Sequence, residues 1–235
     1  MFSIKRAERP IFSRPRNPWY LTVLLIVLSF IFMKITQSLI GAMTPPLGMI
    51  NDRLQNWTFP INQYFQIHKE GARALLITTS FWIDLCALFL CLRAIFGPTI
   101  RPFLELFLFG LYRQALQFLV SLPLPEGIIW TYPGFPSLVV DYVVQNDFYF
   151  SAHTGIALLC ALEFVRTRKK WLDCIGFFLF GYVVITLISF RIHYTMDIFT
   201  AIFVVLYLIY TSERLSQPID RYLQSLGKRI GKIFS

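Results

Sequence analysis

An all-α fold, a polytopic bundle of six transmembrane helices with both termini in the cytoplasm, is what three features of the sequence predict. The first is composition. Of 235 residues, 56% are hydrophobic and only 15% charged, with a mean hydropathy of +0.58, whereas soluble domains carry roughly 25% charged residues. A spanning helix needs about 20 mostly apolar residues, so six of them use roughly half the chain and leave no room for a large soluble domain. Soluble enzymes and disordered proteins are excluded on this ground. The second feature is a set of six apolar stretches, at 19–40, 74–96, 102–122, 150–165, 171–190 and 195–210. Runs of this kind favour helices, because a backbone in lipid must satisfy its own hydrogen bonds. The third is the distribution of Lys and Arg between those stretches.

Taken in order, residues 1–18 carry Lys5, Arg6, Arg9, Arg14 and Arg16 ahead of the first stretch. That basic region is long and no A-x-A site follows, so 19–40 reads as a retained helix and not as a cleaved signal. The first connection has only Arg53, Lys69 and Arg73 over a longer stretch, and the second has Arg93 and Arg101. Residues 121–149 contain no Lys or Arg at all. The fourth connection then carries Arg166, Arg168, Lys169 and Lys170, and the tail carries Arg214, Arg221, Lys228, Arg229 and Lys232. The positive-inside rule puts both termini in the cytoplasm and the first, third and fifth connections on the non-cytoplasmic face, periplasmic or luminal. Six spans satisfy this alternation; five or seven do not. The formal net charge of +9 is thereby a topology signal, and no nucleic-acid partner is expected.

Three regions follow: a basic cytoplasmic N-terminus at 1–18, a six-helix membrane domain at 19–212, and a basic tail at 213–235. In the tail Leu215, Ile219, Leu223, Leu226, Ile230 and Ile233 recur at three- and four-residue spacing, with Lys228, Arg229 and Lys232 off the stripe. Two readings stand side by side: an amphipathic helix on the anionic inner leaflet, or a helix packed on a partner. Cys86, Cys91, Cys160 and Cys174 lie in or beside apolar runs with no C-x-x-C spacing, and read as small core residues rather than disulfides or zinc ligands. The acidic residues form no ligand cluster, so neither a metal nor another cofactor is expected.

Two of the three histidines sit at the junctions of spans. His153 lies in Asn146-Asp147-Phe148-Tyr149-Phe150-Ser151-Ala152-His153-Thr154-Gly155, where the Lys- and Arg-free connection enters the fourth span. His193 lies in Arg191-Ile192-His193-Tyr194-Thr195-Met196-Asp197, in the short turn between the fifth and sixth. The predicted topology brings both to one membrane face. His193 and Asp197 are four apart, which stacks them on one side of a helical turn. A carboxylate bonded to one imidazole nitrogen fixes the tautomer and leaves the other nitrogen to attack or to take a proton. Histidine suits the task because its ordinary pKa of about 6.5 lets it work in both forms near neutrality. For the pair alone, the alternative is an interfacial histidine capped by a nearby acid.

The segment Phe150-Ser151-Ala152-His153-Thr154, followed by His193-Tyr194-Thr195-x-Asp197, resembles the second and third signature motifs of the type-2 phosphatidic acid phosphatase superfamily. Its sphingomyelin synthase branch, with motifs near G-D-x-x-x-S-G-H-T and H-Y-[ST]-x-D, is the most similar. Arg113, in the run from Leu111 that ends at Leu122-Pro123-Leu124-Pro125, is similar to the arginine-bearing third-span motif ahead of an L-P-x-P step in those synthases. Ala152 stands where the motif has glycine, and the K-x-x-x-x-x-x-R-P motif of the broader phosphatases is not present in that form. The first departure limits the match to the synthase motif, tightening the turn before His153. The second, with the third-motif arginine of those phosphatases lying farther upstream of the histidine than Arg191 does here, weakens the plain phosphatase reading more than the synthase-like one.

The resemblance implies that His193 attacks the phosphorus of a lipid phosphodiester, that Asp197 orients it, and that His153 protonates the leaving alcohol and then deprotonates the acceptor. Developing charge on a transferring phosphoryl group calls for cations. Arg191 is the nearest in sequence and Arg113 the second candidate, with an intramembrane ion pair to Asp84 or Glu105 as the alternative role for Arg113. Asp147 occupies the aspartate position of the synthase motif, as a headgroup or orienting residue. Trp57, Phe59, Tyr64, Trp130, Tyr132 and Phe135 offer a cation–π cage for a quaternary ammonium headgroup, or an interfacial aromatic belt. Asn56-Trp57-Thr58 matches a glycosylation acceptor.

Three functions are compatible with these residues. One is a membrane lipid phosphotransferase moving a phospho-headgroup from a glycerophospholipid to a lipid alcohol such as ceramide or diacylglycerol. Another is a lipid phosphatase or phospholipase C-like hydrolase with water as acceptor. The last is a non-enzymatic transporter or scaffold, for which Lys34, Asp84 and Arg113 within spans would be the polar pathway.

Overall fold

The computed structural model describes residues 17–41, 48, 50–142 and 149–233, and every regular element among them is an α-helix. They are α1 (Trp19–Gly41), α2 (Arg53–Trp57), α3 (Phe59–Ile67), α4 (Lys69–Phe96), α5 (Arg101–Leu119), α6 (Ala152–Arg166), α7 (Lys170–Ser189) and α8 (Thr195–Ile233). The six apolar stretches each fall on a helix, α1 and α4 to α8. The two short helices α2 and α3 in the first connection were not legible from periodicity. Asp52 starts α2 by accepting hydrogen bonds from the backbone N–H groups of Leu54 and Gln55 at 3.0 and 3.3 Å. Proline at the start of α3 and again at the start of α5 costs nothing there, since that N–H has no intrahelical partner.

Among the described residues, four helices are long and apolar enough to cross a membrane, by length and composition: Trp19–Ile40, Lys69–Phe96, Lys170–Ser189 and Thr195–Ile230. The other two expected spans differ for identifiable reasons. α5 carries Arg101, Glu105 and Arg113 within its 19 residues, and α6 has only 15 residues, about 22 Å at 1.5 Å per residue. α6 is nonetheless the central helix, buried along most of its length and packed against α4, α5, α7 and α8. Its contact with α7 is close because Gly176 faces Ala161: a Cβ on Gly176 would lie 2.8 Å from the Ala161 Cα. One apolar cluster joins α4, α6 and α7 around Ile83, Ile156 and Leu187; a second joins α5, α6 and α8 around Phe109, Leu159 and Val205.

α8 runs unbroken for 39 residues with Pro218 inside it, about 58 Å, across the expected boundary between bundle and tail. Part of the tail's apolar stripe packs on the chain's own elements. Leu223 is buried with Ala94, Ile100 and Phe103 against Leu21, Leu25 and Ile219. Asp220 accepts a hydrogen bond from the Ile100 N–H at 2.9 Å and another from Asn17. Of the cysteines, Cys86 and Cys160 are buried as expected, Cys91 is half-buried and Cys174 exposed; all four are free.

The end of α4, the start of α5, the end of α6 and the middle of α8 meet in a charged cluster. Glu163, fully buried, takes Arg93 at 3.2 Å, Arg101 at 2.8 Å and Arg166 at 3.3 Å. Glu105 takes Arg101 at 2.9 Å, Arg166 at 3.0 Å and the Ser212 hydroxyl at 2.9 Å. This corrects the alternative offered for Arg113. Glu105 lies eight positions earlier on α5, about 12 Å along the helix, and is engaged at the far end. Asp84 is engaged as well, accepting from Ser137 Oγ and from the Leu138 and Val139 N–H groups at 2.9–3.0 Å. It pins the 137–139 segment to α4.

Candidate active site

At the other end of the bundle, two turns bring the histidines together. Ser151 caps α6, its hydroxyl accepting from the Thr154 N–H at 3.3 Å, which sets His153 in the first turn. His193 lies just ahead of α8. The Ser151 N–H donates to the Asp197 carbonyl at 3.4 Å, tying the starts of α6 and α8 to each other. The imidazole rings of His153 and His193 lie 6.4 Å apart between centroids, and both are almost wholly buried, at 8% and 4% exposure.

Asp197 is fully buried. Its Oδ2 accepts the Tyr194 N–H at 2.9 Å and lies 3.7 Å from His193 Nδ1. The first contact is half of a capping box, an acid three positions into the helix satisfying the N–H of the cap residue. The same oxygen thus orders the turn and faces the imidazole. Asp197 Oδ1 and Trp130 Nε1 are both buried with no hydrogen-bond partner among the described residues. Buried polar atoms are seldom left so.

The turn is held from outside by the first connection. Gln55 donates to the His193 carbonyl at 3.1 Å, and Asn62 to the Ser189 carbonyl at 3.0 Å. Asp52 accepts the Thr195 hydroxyl at 2.7 Å and also its N–H, so one carboxylate starts α2 and braces α8. Tyr194 donates its hydroxyl to the Pro123 carbonyl at 3.1 Å; burial, and then the Asp197 and Asp52 carboxylates, push its phenol above the ordinary value, keeping it a donor. Sequence reading missed Asp52, Gln55 and Asn62. Their signal was faint: polar side chains in a short stretch with no periodicity to say which way they face.

A cavity of about 80 Å³ opens on both imidazoles, lined also by Lys34, Gln37, Arg113, Trp130 and Asp141. Arg113 reaches it from α5, donating Nε to the Phe150 carbonyl at 3.2 Å and Nη1 to Gln37 Oε1 at 2.9 Å. Arg191, the nearest cation in sequence, is directed elsewhere. It donates Nη1 to the Glu126 carbonyl at 2.7 Å and Nη2 to the Gln55 carbonyl at 3.4 Å, with Phe59 5.2 Å from its guanidinium carbon. Asp147 lies outside the described residues. Of the six aromatics considered for a cage, only Trp130 lines the cavity; its ring meets His153 edge-on at 5.9 Å and stacks on Tyr142 at 4.3 Å.

Phe150 and Arg191 have left-handed backbone, φ 66° and 54°, three residues before His153 and two before His193. Such conformations in non-glycine residues cost about 1–3 kcal/mol each and cluster at functional sites. Two buried imidazoles and a cation on one cavity, with a buried carboxylate beside His193, make an arrangement suited to group transfer at phosphorus.

Residues 146–214 match the family model described as PAP2 superfamily C-terminal, a stretch that contains His153, His193 and Asp197. No curated protein matches the chain. Members of that superfamily are phosphatases or phosphotransferases, and the match, over less than a third of the 235 residues, supports the type-2 phosphatidic acid phosphatase superfamily and a membrane enzyme of that general kind.

Proposed function

We propose that the chain is an integral-membrane lipid phosphotransferase resembling sphingomyelin synthase, working on the non-cytoplasmic face. α5 and α6 complete a six-span bundle as its inner helices, with both termini in the cytoplasm. The observation that carries the reading is the facing of His153 and His193 across one cavity, with Asp197 3.7 Å from His193 Nδ1. A carboxylate beside Nδ1 leaves Nε2 of His193 as the attacking nitrogen.

In the first half-reaction, His193 Nε2 bonds to the phosphorus of a glycerophospholipid as the bond from phosphorus to the glycerol oxygen breaks. His153 gives its proton to that oxygen, and diacylglycerol leaves. In the second, His153 takes the proton of the acceptor hydroxyl, the acceptor oxygen bonds to phosphorus, and the N–P bond breaks. Two histidines are needed because departure and attack occur on opposite sides of phosphorus. Arg113 compensates the developing charge on the non-bridging oxygens. Arg191 keeps its loops in place around the turn, and Asp147 serves the headgroup or orients a neighbour. Trp130, stacked on Tyr142, and Asp141 suit the ammonium end of a choline or ethanolamine headgroup by cation–π and charge attraction.

The test is product analysis. Purified protein is incubated with headgroup-labelled phosphatidylcholine or phosphatidylethanolamine, with and without ceramide or diacylglycerol. Label on the added lipid supports transfer. Label released to water marks the hydrolase of the same site, and identical products from wild type and His193→Ala leave the transporter or scaffold reading.

A further inference from the structure

Lys34 is the only charged residue in α1, a helix otherwise as apolar as any in the chain, and a lysine within such a span carries a desolvation cost that functional residues alone tend to justify. It lines the same cavity as Arg113, His153 and His193. Gln37, one turn further on and so on the same helix face, accepts the Arg113 Nη1 hydrogen bond at 2.9 Å. α1 is also seated on α5 nearby, where Thr36 donates to Gln114 Oε1 at 2.6 Å and Gln114 to the Met33 carbonyl at 2.8 Å. Lys34 is therefore held at the edge of the cavity by a fixed helix.

The neighbours of Lys34 on α1 face away from protein. Phe30, Ile31 and Ile35 are exposed, at 50%, 49% and 57%, and Lys34 itself is exposed, with its Nζ 5.7 Å from the Phe30 ring centroid. In a bilayer those side chains meet acyl chains. Lys34 thus stands on the rim where the cavity opens sideways to lipid. A lipid arriving from the bilayer with its tails along Phe30, Ile31 and Ile35 brings its phosphate past this ammonium before it reaches the histidines.

We propose that Lys34 is a phosphate-binding residue at a lateral, bilayer-facing mouth of the site, acting with Arg113 on the substrate's anionic oxygens. The proposal deepens the function proposed above and rests on the same cavity. Asp141 lines that cavity too. The opposing account is a lysine whose stem merely lets its charge reach the membrane interface.

The test is titration of the full-length protein in detergent with a short-chain, non-hydrolysable phosphonate analogue of phosphatidylcholine, read by tryptophan fluorescence, since Trp130 lines the cavity. A parallel titration uses short-chain ceramide, which has no phosphate. Because Lys34→Met removes a charge-assisted hydrogen bond to the phosphonate, it should raise the Kd about ten- to a hundredfold. Lys34→Arg should restore it to within about threefold, because the charge and its reach return. Ceramide binding and the thermal unfolding midpoint should not move. Lys34→Met binding the phosphonate as wild type does, or weakening ceramide and phosphonate equally, overturns the proposal. Identical lipid products from wild type and His193→Ala would overturn the catalytic reading alone, since the titration needs no turnover.

Discussion

Gly155→Ala isolates the packing that sets His153 in place. Gly155 lies on α6 two residues after His153, and a Cβ there would sit 1.9, 2.2 and 2.7 Å from three carbons of the Phe109 ring. To reach ordinary contact near 3.4 Å, the ring or the helix must retreat by about 1.5 Å. Phe109 cannot yield easily: it is 2% exposed and its ring packs 4.9 Å from that of Phe150, whose carbonyl holds Arg113. Alanine improves helix propensity by about 1 kcal/mol, whereas overpacking a dense core costs about 1–3 kcal/mol. With a clash this deep the steric term dominates, and a net loss of about 1–2 kcal/mol is expected. The thermal unfolding midpoint of the purified protein should fall by several degrees, at about 2–4 °C per kcal/mol for a chain of this size. Turnover should fall on the order of a hundredfold, the scale of a misplacement of about 1 Å. Gly155→Ala combined with Phe109→Leu should recover much of both, as coupled neighbours do. A single variant that unfolds at or above the wild-type midpoint with full activity would refute the reasoning.

Other consequences follow from the same geometry. Asp197→Asn keeps the size of the side chain but removes the charge facing His193, and turnover should fall on the order of ten-thousandfold with substrate KM little changed, as read by lipid product rates. Arg113→Ala should cost more turnover than Arg191→Ala, because only Arg113 lines the cavity; the reverse ranking would return Arg191 to the phosphate. Glu163→Gln leaves Arg93, Arg101 and Arg166 around a neutral group, so thermal unfolding should show a loss of about 3–5 kcal/mol, while KM stays within about twofold because that cluster lies at the opposite end of the bundle.

The sequence carried the helices well and marked the two segments that the fold brings to one cavity, since both rest on short-range signals. Apolar runs report burial in lipid or core whatever the tertiary arrangement, and His193 to Asp197 is a local spacing. The third dimension was less legible. Charge alone made Glu105 a fair partner for Arg113, but the position eight residues away on one helix excludes it, and Glu105 instead meets residues from α6 and α8. Proximity in sequence favoured Arg191, yet its left-handed backbone turns the guanidinium to the carbonyls of Glu126 and Gln55. The continuity of α8 was hidden by Pro218 and by the change from apolar to basic composition. Packing of Leu223 and Asp220 on α1 and the α4–α5 turn comes with one long helix in place of two elements. Lys34 and Gln37 were visible as polar residues in a span, but only the fold shows which cavity they share.

We propose a two-histidine phosphoryl transfer with His193 as nucleophile. Its most direct test is rapid acid-free quenching of wild type with donor phospholipid labelled at phosphorus, followed by peptide mapping of protein-bound label. The account predicts a base-stable, acid-labile adduct on the peptide containing His193, absent from His193→Ala and discharged by added lipid alcohol. Turnover without any protein-bound label, or label that persists in His193→Ala, would contradict it.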